Sequence, residues 1–211
     1  MSAVAGSGNS SPYQSLTFAQ WQAKTIQLAQ SHPLGAGRGE KLVEAIQLAW
    51  DDIFTSTFGP KKLRIGVDLF PQPQILGFLL HELIPPRIQL SFEGWRKDQS
   101  ADEKDLVYIA KPELSVEIKT SSNPNNIYGN RSYAQVGTSG TKKDKSGFYI
   151  GVNFQKCTRD TPSPTIVRVR FGWLDADDWT GQAAATGQQA SLSREVRDGK
   201  LLELYPVNKL P

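Results

Sequence analysis

The sequence predicts an α/β or α+β domain with a mixed central β-sheet flanked by helices. Three observations lead there. Helical periodicity dominates the first third of the chain. Two strand-like runs joined by a turn occupy residues 106–120. After a polar connection, two more strand runs follow at 148–154 and 166–173. A chain of 211 residues is ample for one core, so residues 13–211 are expected to form a single domain.

Residues 1–12 are small, polar and rich in Gly and Ser, and are expected to be disordered. A first helix is predicted from about Leu16 to Gln30, capped by Thr17, with Phe18, Trp21, Ile26 and Leu28 on its apolar side. His32-Pro33 to Gly37 ends it. A second helix, Glu40 to about Phe54, places Leu42, Val43, Ile46, Trp50, Ile53 and Phe54 on one stripe. Glu40, Glu44, Gln47 and Asp51 line its opposite face. Lys61 to Phe70 reads as a short strand. Residues 74–84 read as a buried helix stopped by Pro85-Pro86. That helix carries His81 beside Glu82. Sequence neighbours do not face each other on a helix, so His81 is read as an interior histidine rather than half of a metal pair. Ile88 to Trp95 is then the first strand of the sheet, and Arg96 to Lys104 a charged loop that delivers Asp105.

Asp105 opens the run Leu106 to Ile109, Pro112 marks a turn, and Leu114 to Thr120 forms the second strand. Alternation puts Ser115, Glu117, Lys119 and Ser121 on one face and Leu114, Val116 and Ile118 on the other. If the two strands pair as a hairpin, Asp105 lies near Glu117. Two converging carboxylates suit a hard divalent cation, and an adjacent lysine suits a water or a phosphate oxygen.

Asp105, followed by Glu117-Ile118-Lys119, resembles the D…(D/E)-x-K pattern of the PD-(D/E)XK nucleases, with Lys104 where a proline is usual. Glu117 to Ser122, the segment Ile127 to Gln135, Phe171-Gly172-Trp173-Leu174 and Asp178-Trp179 resemble blocks of the restriction enzymes related to ScaI. The resemblance implies a restriction-endonuclease-like core. It also implies Mg²⁺ held by Asp105, Glu117 and the carbonyl of Ile118, with Lys119 positioning or activating the attacking water. Hydrolysis leaving a 5′-phosphate and a 3′-hydroxyl follows from the same resemblance, as does a homodimer on double-stranded DNA. In that family a helix before the sheet often adds one acidic group; the Gly37-Arg38-Gly39-Glu40 start makes Glu40 the candidate, with Glu44 next.

Residues 121–146 are rich in turn formers and basic groups. Asn130, Arg131, Gln135, Lys142, Lys143 and Lys145 are candidates for contact with DNA, the cations through phosphates. Ile166 to Trp173 alternates, with Val167, Val169, Phe171 and Trp173 on one face. Arg168 and Arg170 take the other face, as solvated residues or DNA contacts. Asp175, Asp177 and Asp178 suit a turn or helix start. Gln182, Gln188 and Gln189 lie in a Gly/Ala context, which makes residues 174–195 a candidate recognition or dimer segment; an amide can pair with adenine in the major groove.

A net charge of +3 excludes a general polycation, so any DNA surface is local. Cys157 is the sole cysteine, which rules out an intrachain disulfide and a cysteine zinc site. With no signal-peptide pattern and no run of membrane-spanning length, the expectation is a soluble cytoplasmic protein with no membrane partner. Two distant histidines and no phosphate-binding Gly-x-x-x-x-Gly-Lys loop leave triad hydrolases and nucleotide-loop enzymes without support. The expected activity is that of a type II site-specific deoxyribonuclease. A structure-selective or repair nuclease of the same superfamily, or a non-catalytic DNA-binding protein, remains the alternative.

Overall fold

The computed structural model describes residues 11–35, 37, 39–134, 145–184 and 186–206. The expectation for residues 1–10 and the candidates Gln135, Lys142 and Lys143 lie outside the described residues. Three helices come first. α1 (Phe18–Ser31) begins at Thr17, whose backbone N–H donates to the Gln20 side chain at 2.8 Å. α2 (Gly39–Thr55) buries the expected stripe from Leu42 to Ile53.

α3 (Pro73–Ser91) differs from expectation, because it runs straight through Pro85 and Pro86. A proline inside a helix costs about 3 kcal/mol through a lost hydrogen bond and a ring clash. Leu76, Leu80, Ile84 and Ile88 are all 0% exposed on this helix. Each buried aliphatic side chain contributes roughly 1.5–3 kcal/mol, so their burial outweighs the break. The first strand therefore starts later than predicted. Residues 61–70 are not a strand either: isolated bridges join Phe58 to Leu63 and Ile65 to Leu69, and Lys62 takes a left-handed turn conformation.

The strands that follow are β1 (Trp95–Lys97), β2 (Leu106–Tyr108), β3 (Val116–Ser121), β4 (Tyr128–Asn130) and β5 (Gly147–Phe154). Next come β6 (Ile166–Leu174), β7 (Trp179–Gly181) and β8 (Gln189–Leu192), then α4 (Arg194–Lys200) and β9 (Leu201–Tyr205). Six strands form the main sheet in the order β1-β2-β3-β5-β6-β9. Only the β3–β5 pair is parallel, so the sheet is mixed, as predicted. β2 and β3 make the expected hairpin, with Leu106 opposite Val116.

α3 crosses β3 closely. Thr120 Oγ1 donates to the Gly77 carbonyl at 3.0 Å, and a Cβ on Gly77 would meet that same oxygen at 3.0 Å. Glycine at this position lets the helix lie against the strand, one turn before His81. No helix among the described residues is long and apolar enough to cross a membrane.

A second, three-stranded sheet runs β4-β8-β7. It has its own apolar cluster, with Ile127, Tyr149, Trp179, Ala190 and Leu192 among its members. This sheet joins two polar stretches that stand far apart in the sequence: Asn130 lies opposite Gln189, and Gly129 opposite Ala190.

On β6 the expected face is buried at Val169, Phe171 and Trp173 but only half-buried at Val167, and the opposite face is buried as well at Arg170, Gly172 and Leu174. The arginine face is neither solvated nor available to DNA at Arg170, which is 3% exposed. Its Nη1 donates to the Asn125 carbonyl at 3.0 Å and to Asn153 Oδ1 at 3.1 Å, and burial lowers its pKa to about 10. Arg168 is tied to Glu203 of β9 at 2.9 Å and donates to Asn125 Oδ1 at 3.2 Å. Both arginines thus pin the segment after β3 to the sheet.

The Asp175 region is a turn, as expected. Asp175 N–H donates to Asp178 Oδ2 at 2.7 Å, and both carboxylates accept from the buried Lys200 ammonium at 2.8 Å. That ammonium also lies over the rings of Tyr13 and Trp21, locking α1 to α4.

Candidate active site

The hairpin brings Asp105 and Glu117 to the same end of the main sheet. Asp105 Oδ2 accepts the Ile118 backbone N–H at 2.7 Å, so the first carboxylate is clipped to the peptide that follows the second. Glu117 Oε1 accepts from Lys119 Nζ at 2.7 Å. The two side chains share a face across one intervening residue, as strand alternation requires.

The pair is recessed rather than facing open solvent, with Glu117 3% and Asp105 8% exposed. Two residues that sequence reasoning does not place here supply the walls. His81 Nε2, from α3, stands 3.3 Å from Asp105 Oδ2. The bond to Asp105 holds the imidazole pKa above its usual value, with burial acting against it. Its neighbour Glu82 is ion-paired to Lys97 on β1, and that bond holds the Glu82 carboxyl below its usual range. Tyr133, from the 3₁₀ turn at Arg131–Ala134, donates its hydroxyl to Glu117 Oε1 at 2.5 Å. Burial and the Glu117 charge both push the Tyr133 phenol upward, which keeps it a donor.

The expectation of a satisfied interior histidine at position 81 needs correcting in one respect: a site carboxylate is what satisfies it. With its periodicity continued past Pro85-Pro86, α3 is the helix directly before the sheet, and its polar residues are the ones near the site. Tyr133 lies within the family-like segment Ile127 to Gln135, but nothing local in the sequence directs its side chain to Glu117. Glu40 and Glu44 are exposed on α2, which packs mainly on α3, β6 and β9. The helix that reaches the carboxylates is α3.

The oxygen-rich donor set fits a hard cation such as magnesium: two carboxylates flank the Ile118 peptide. Among the described residues no group of three or more His, Cys, Asp or Glu side chains could hold a metal, so such an ion would lean on the Ile118 carbonyl and on water.

A groove of about 990 Å³ runs beside the site, lined by His81, Glu82 and Lys119 at one end and by Asn130 and Gln189 of the small sheet. Gln182 and Gln188 are exposed on the β7–β8 connection, and the Gln182 amide contacts Gln189 at 3.4 Å. Arg131 is engaged differently from a simple phosphate contact. Its Nη1 donates to the carbonyls of Ala184 and Gly187, both at 2.9 Å, and its backbone N–H to Gln188 at 2.8 Å. It therefore braces the hairpin that carries the glutamines. Lys145 lies with its ammonium 4.6 Å from the Tyr133 ring centroid.

The sequence profile of the ScaI restriction endonuclease family matches residues 11–205. The type II restriction enzyme ScaI of Streptomyces caespitosus is 41% identical over 197 residues, covering 92% of this chain and 85% of that protein. The profile match spans both sheets and the strand that holds Glu117 and Lys119, and the chain belongs to the ScaI restriction endonuclease family.

Proposed function

We propose that the protein is a Mg²⁺-dependent type II restriction endonuclease. It hydrolyses phosphodiester bonds of double-stranded DNA at a short specific site, leaving a 5′-phosphate and a 3′-hydroxyl. The observation that carries the reading is the convergence of Asp105, Glu117 and Lys119 at one sheet end in a chain of this family. Asp105, Glu117 and the Ile118 carbonyl would hold the cation, which supplies Lewis acidity to the phosphate. Lys119 orients the attacking water and faces the developing negative charge. The Ile118 N–H holds the Asp105 carboxylate, and Lys119 and Tyr133 hold that of Glu117, before DNA arrives, so little reorganisation accompanies the reaction.

DNA is held by the basic run Lys142, Lys143 and Lys145, through phosphates. Asn130, Gln135, Gln182, Gln188 and Gln189 read bases, on the hairpin that Arg131 braces. A homodimer suits a palindromic site, because a two-fold protein matches two-fold DNA. Incubation with phage DNA and Mg²⁺ tests the reading. Discrete bands support it. A smear points to a non-specific nuclease, and a gel shift without cleavage to a binder.

A further inference from the structure

We infer that Tyr133 is a positioning residue that ties the small sheet to the catalytic carboxylate, so that the seating of β4-β8-β7 sets the orientation of Glu117. The inference rests on the nuclease reading above. Tyr133 spans the two sheets. Its ring sits on bare β4 backbone, since a Cβ on Gly129 would come within 2.9 Å of Tyr133 Cγ. The ring also meets Trp179 of β7 edge-on, with centroids 5.2 Å apart. Its hydroxyl reaches across to Glu117 Oε1 at 2.5 Å on the main sheet.

Glu117 Oε1 takes a second donor, Lys119 Nζ, at 2.7 Å. Two donors fill both lone pairs of one carboxylate oxygen. The carboxylate is thereby held in one rotation. The ammonium groups of Lys119 and Lys145 stand 4.8 Å and 4.6 Å from the Tyr133 ring centroid, so the same ring also places the lysine of the site.

The small sheet carries the exposed amides of Asn130 and Gln189, and Arg131 latches its hairpin. A shift of that sheet by about 1 Å takes the Tyr133 hydroxyl out of hydrogen-bond range of Glu117. DNA that seats the sheet correctly keeps the carboxylate aligned; DNA that displaces it does not. A tyrosine serving stability alone would have no such link between site preference and rate.

Two variants separate these roles. Tyr133→Phe removes only the hydroxyl and keeps the ring on Gly129 and Trp179. Gly129→Ala pushes the ring from the β4 side without removing any catalytic side chain. Single-turnover cleavage is started by adding Mg²⁺ to the preformed complex, on the cognate duplex and on one-base variants of it. DNA affinity without metal is measured by gel shift, and Mg²⁺ affinity of the DNA-free protein by calorimetry.

For Tyr133→Phe the cognate rate constant should fall roughly ten- to hundredfold, as expected for a misplaced catalytic group. Metal-free DNA affinity should hold and Mg²⁺ affinity weaken. The ratio of cognate to near-cognate rates should shrink in both variants. Wild-type rates and Mg²⁺ affinity in Tyr133→Phe would overturn the positioning role. An equal fall at cognate and near-cognate sites, or an unchanged ratio in Gly129→Ala, would overturn the link to the small sheet. A wild-type protein that does not cleave would instead overturn the nuclease reading and this inference with it.

Discussion

Acidification should destabilise the protein through His32, which is 5% exposed beneath the start of β3. Its ring packs 4.3 Å from Phe148 and 4.8 Å from Phe171, centroid to centroid. The Leu114 carbonyl can only accept and the Leu34 N–H can only donate, so the tautomer is fixed. Nε2 donates to Leu114 at 2.9 Å and Nδ1 accepts from Leu34 at 3.1 Å. A second proton would displace the Leu34 donor and put a charge among aromatic rings.

Burial accordingly pushes the His32 pKa down to about 4, with the Leu114 bond acting against the shift. An unfolded histidine titrates near about 6.5. The unfolded chain therefore takes up the proton first, and stability present above about pH 6.5 is lost as the pH falls towards about 4. At about 1.4 kcal/mol per pH unit, the loss at about pH 4.5 comes to about 2.5 kcal/mol.

Urea unfolding of the wild type and of His32→Gln across this range isolates the effect, since other titrations are common to both. The glutamine keeps a donor and an acceptor but cannot titrate. The variant should be less stable at neutral pH, and the gap should close by about 2.5 kcal/mol towards about pH 4.5. A constant gap would refute the argument.

Asp105→Asn, Glu117→Gln and Lys119→Ala should each lower the cleavage rate by roughly a hundredfold or more while metal-free DNA binding persists, and EDTA should stop the wild type; near-normal cleavage in any of the three would remove that residue from the site. A Lys142/Lys143/Lys145 triple alanine variant should flatten the plot of log affinity against log salt by about one unit for each phosphate no longer neutralised, and an unchanged slope assigns the run to solvated surface. Arg170→Met should cost about 3 kcal/mol in urea unfolding because it strips bonds from Asn125 and Asn153, with no change in the salt slope. Alanine at Gln182, Gln188 or Gln189 should relax preference at one base pair by roughly ten- to a hundredfold in cleavage of near-cognate libraries; wild-type preference in all three moves base reading to Asn130 and its neighbours.

How much of the site can be read from the sequence follows from which interactions are local. The hairpin geometry that brings Asp105 to Glu117 is legible because strand alternation has a period of two and the turn at Pro112 lies between the runs. The family is legible for the same reason: its words, Glu117-Ile118-Lys119 and Asn130-Arg131, are contiguous. The α2 stripe is legible as periodic burial, whereas β6 is buried on both faces from Val169 onward, so its alternation marks a strand but not which face is covered. At α3 a local rule, proline as helix breaker, meets a larger non-local term in the burial of Leu80, Ile84 and Ile88, and the local rule gives the wrong end.

The sequence by itself thus determined the strand that carries Glu117 and Lys119 and its pairing with the strand that Asp105 opens. Only the tertiary structure decided what surrounds them. His81 reaches Asp105 because Gly77 lets α3 lie on β3. Arg170 becomes internal because the segment after β3 folds over it. Three strands of three or four residues, too short to show any period, find one another across about 60 positions of chain to build the small sheet that presses Tyr133 onto Glu117. Such pairings are stabilised by burial shared between distant segments, a quantity no single stretch of sequence contains.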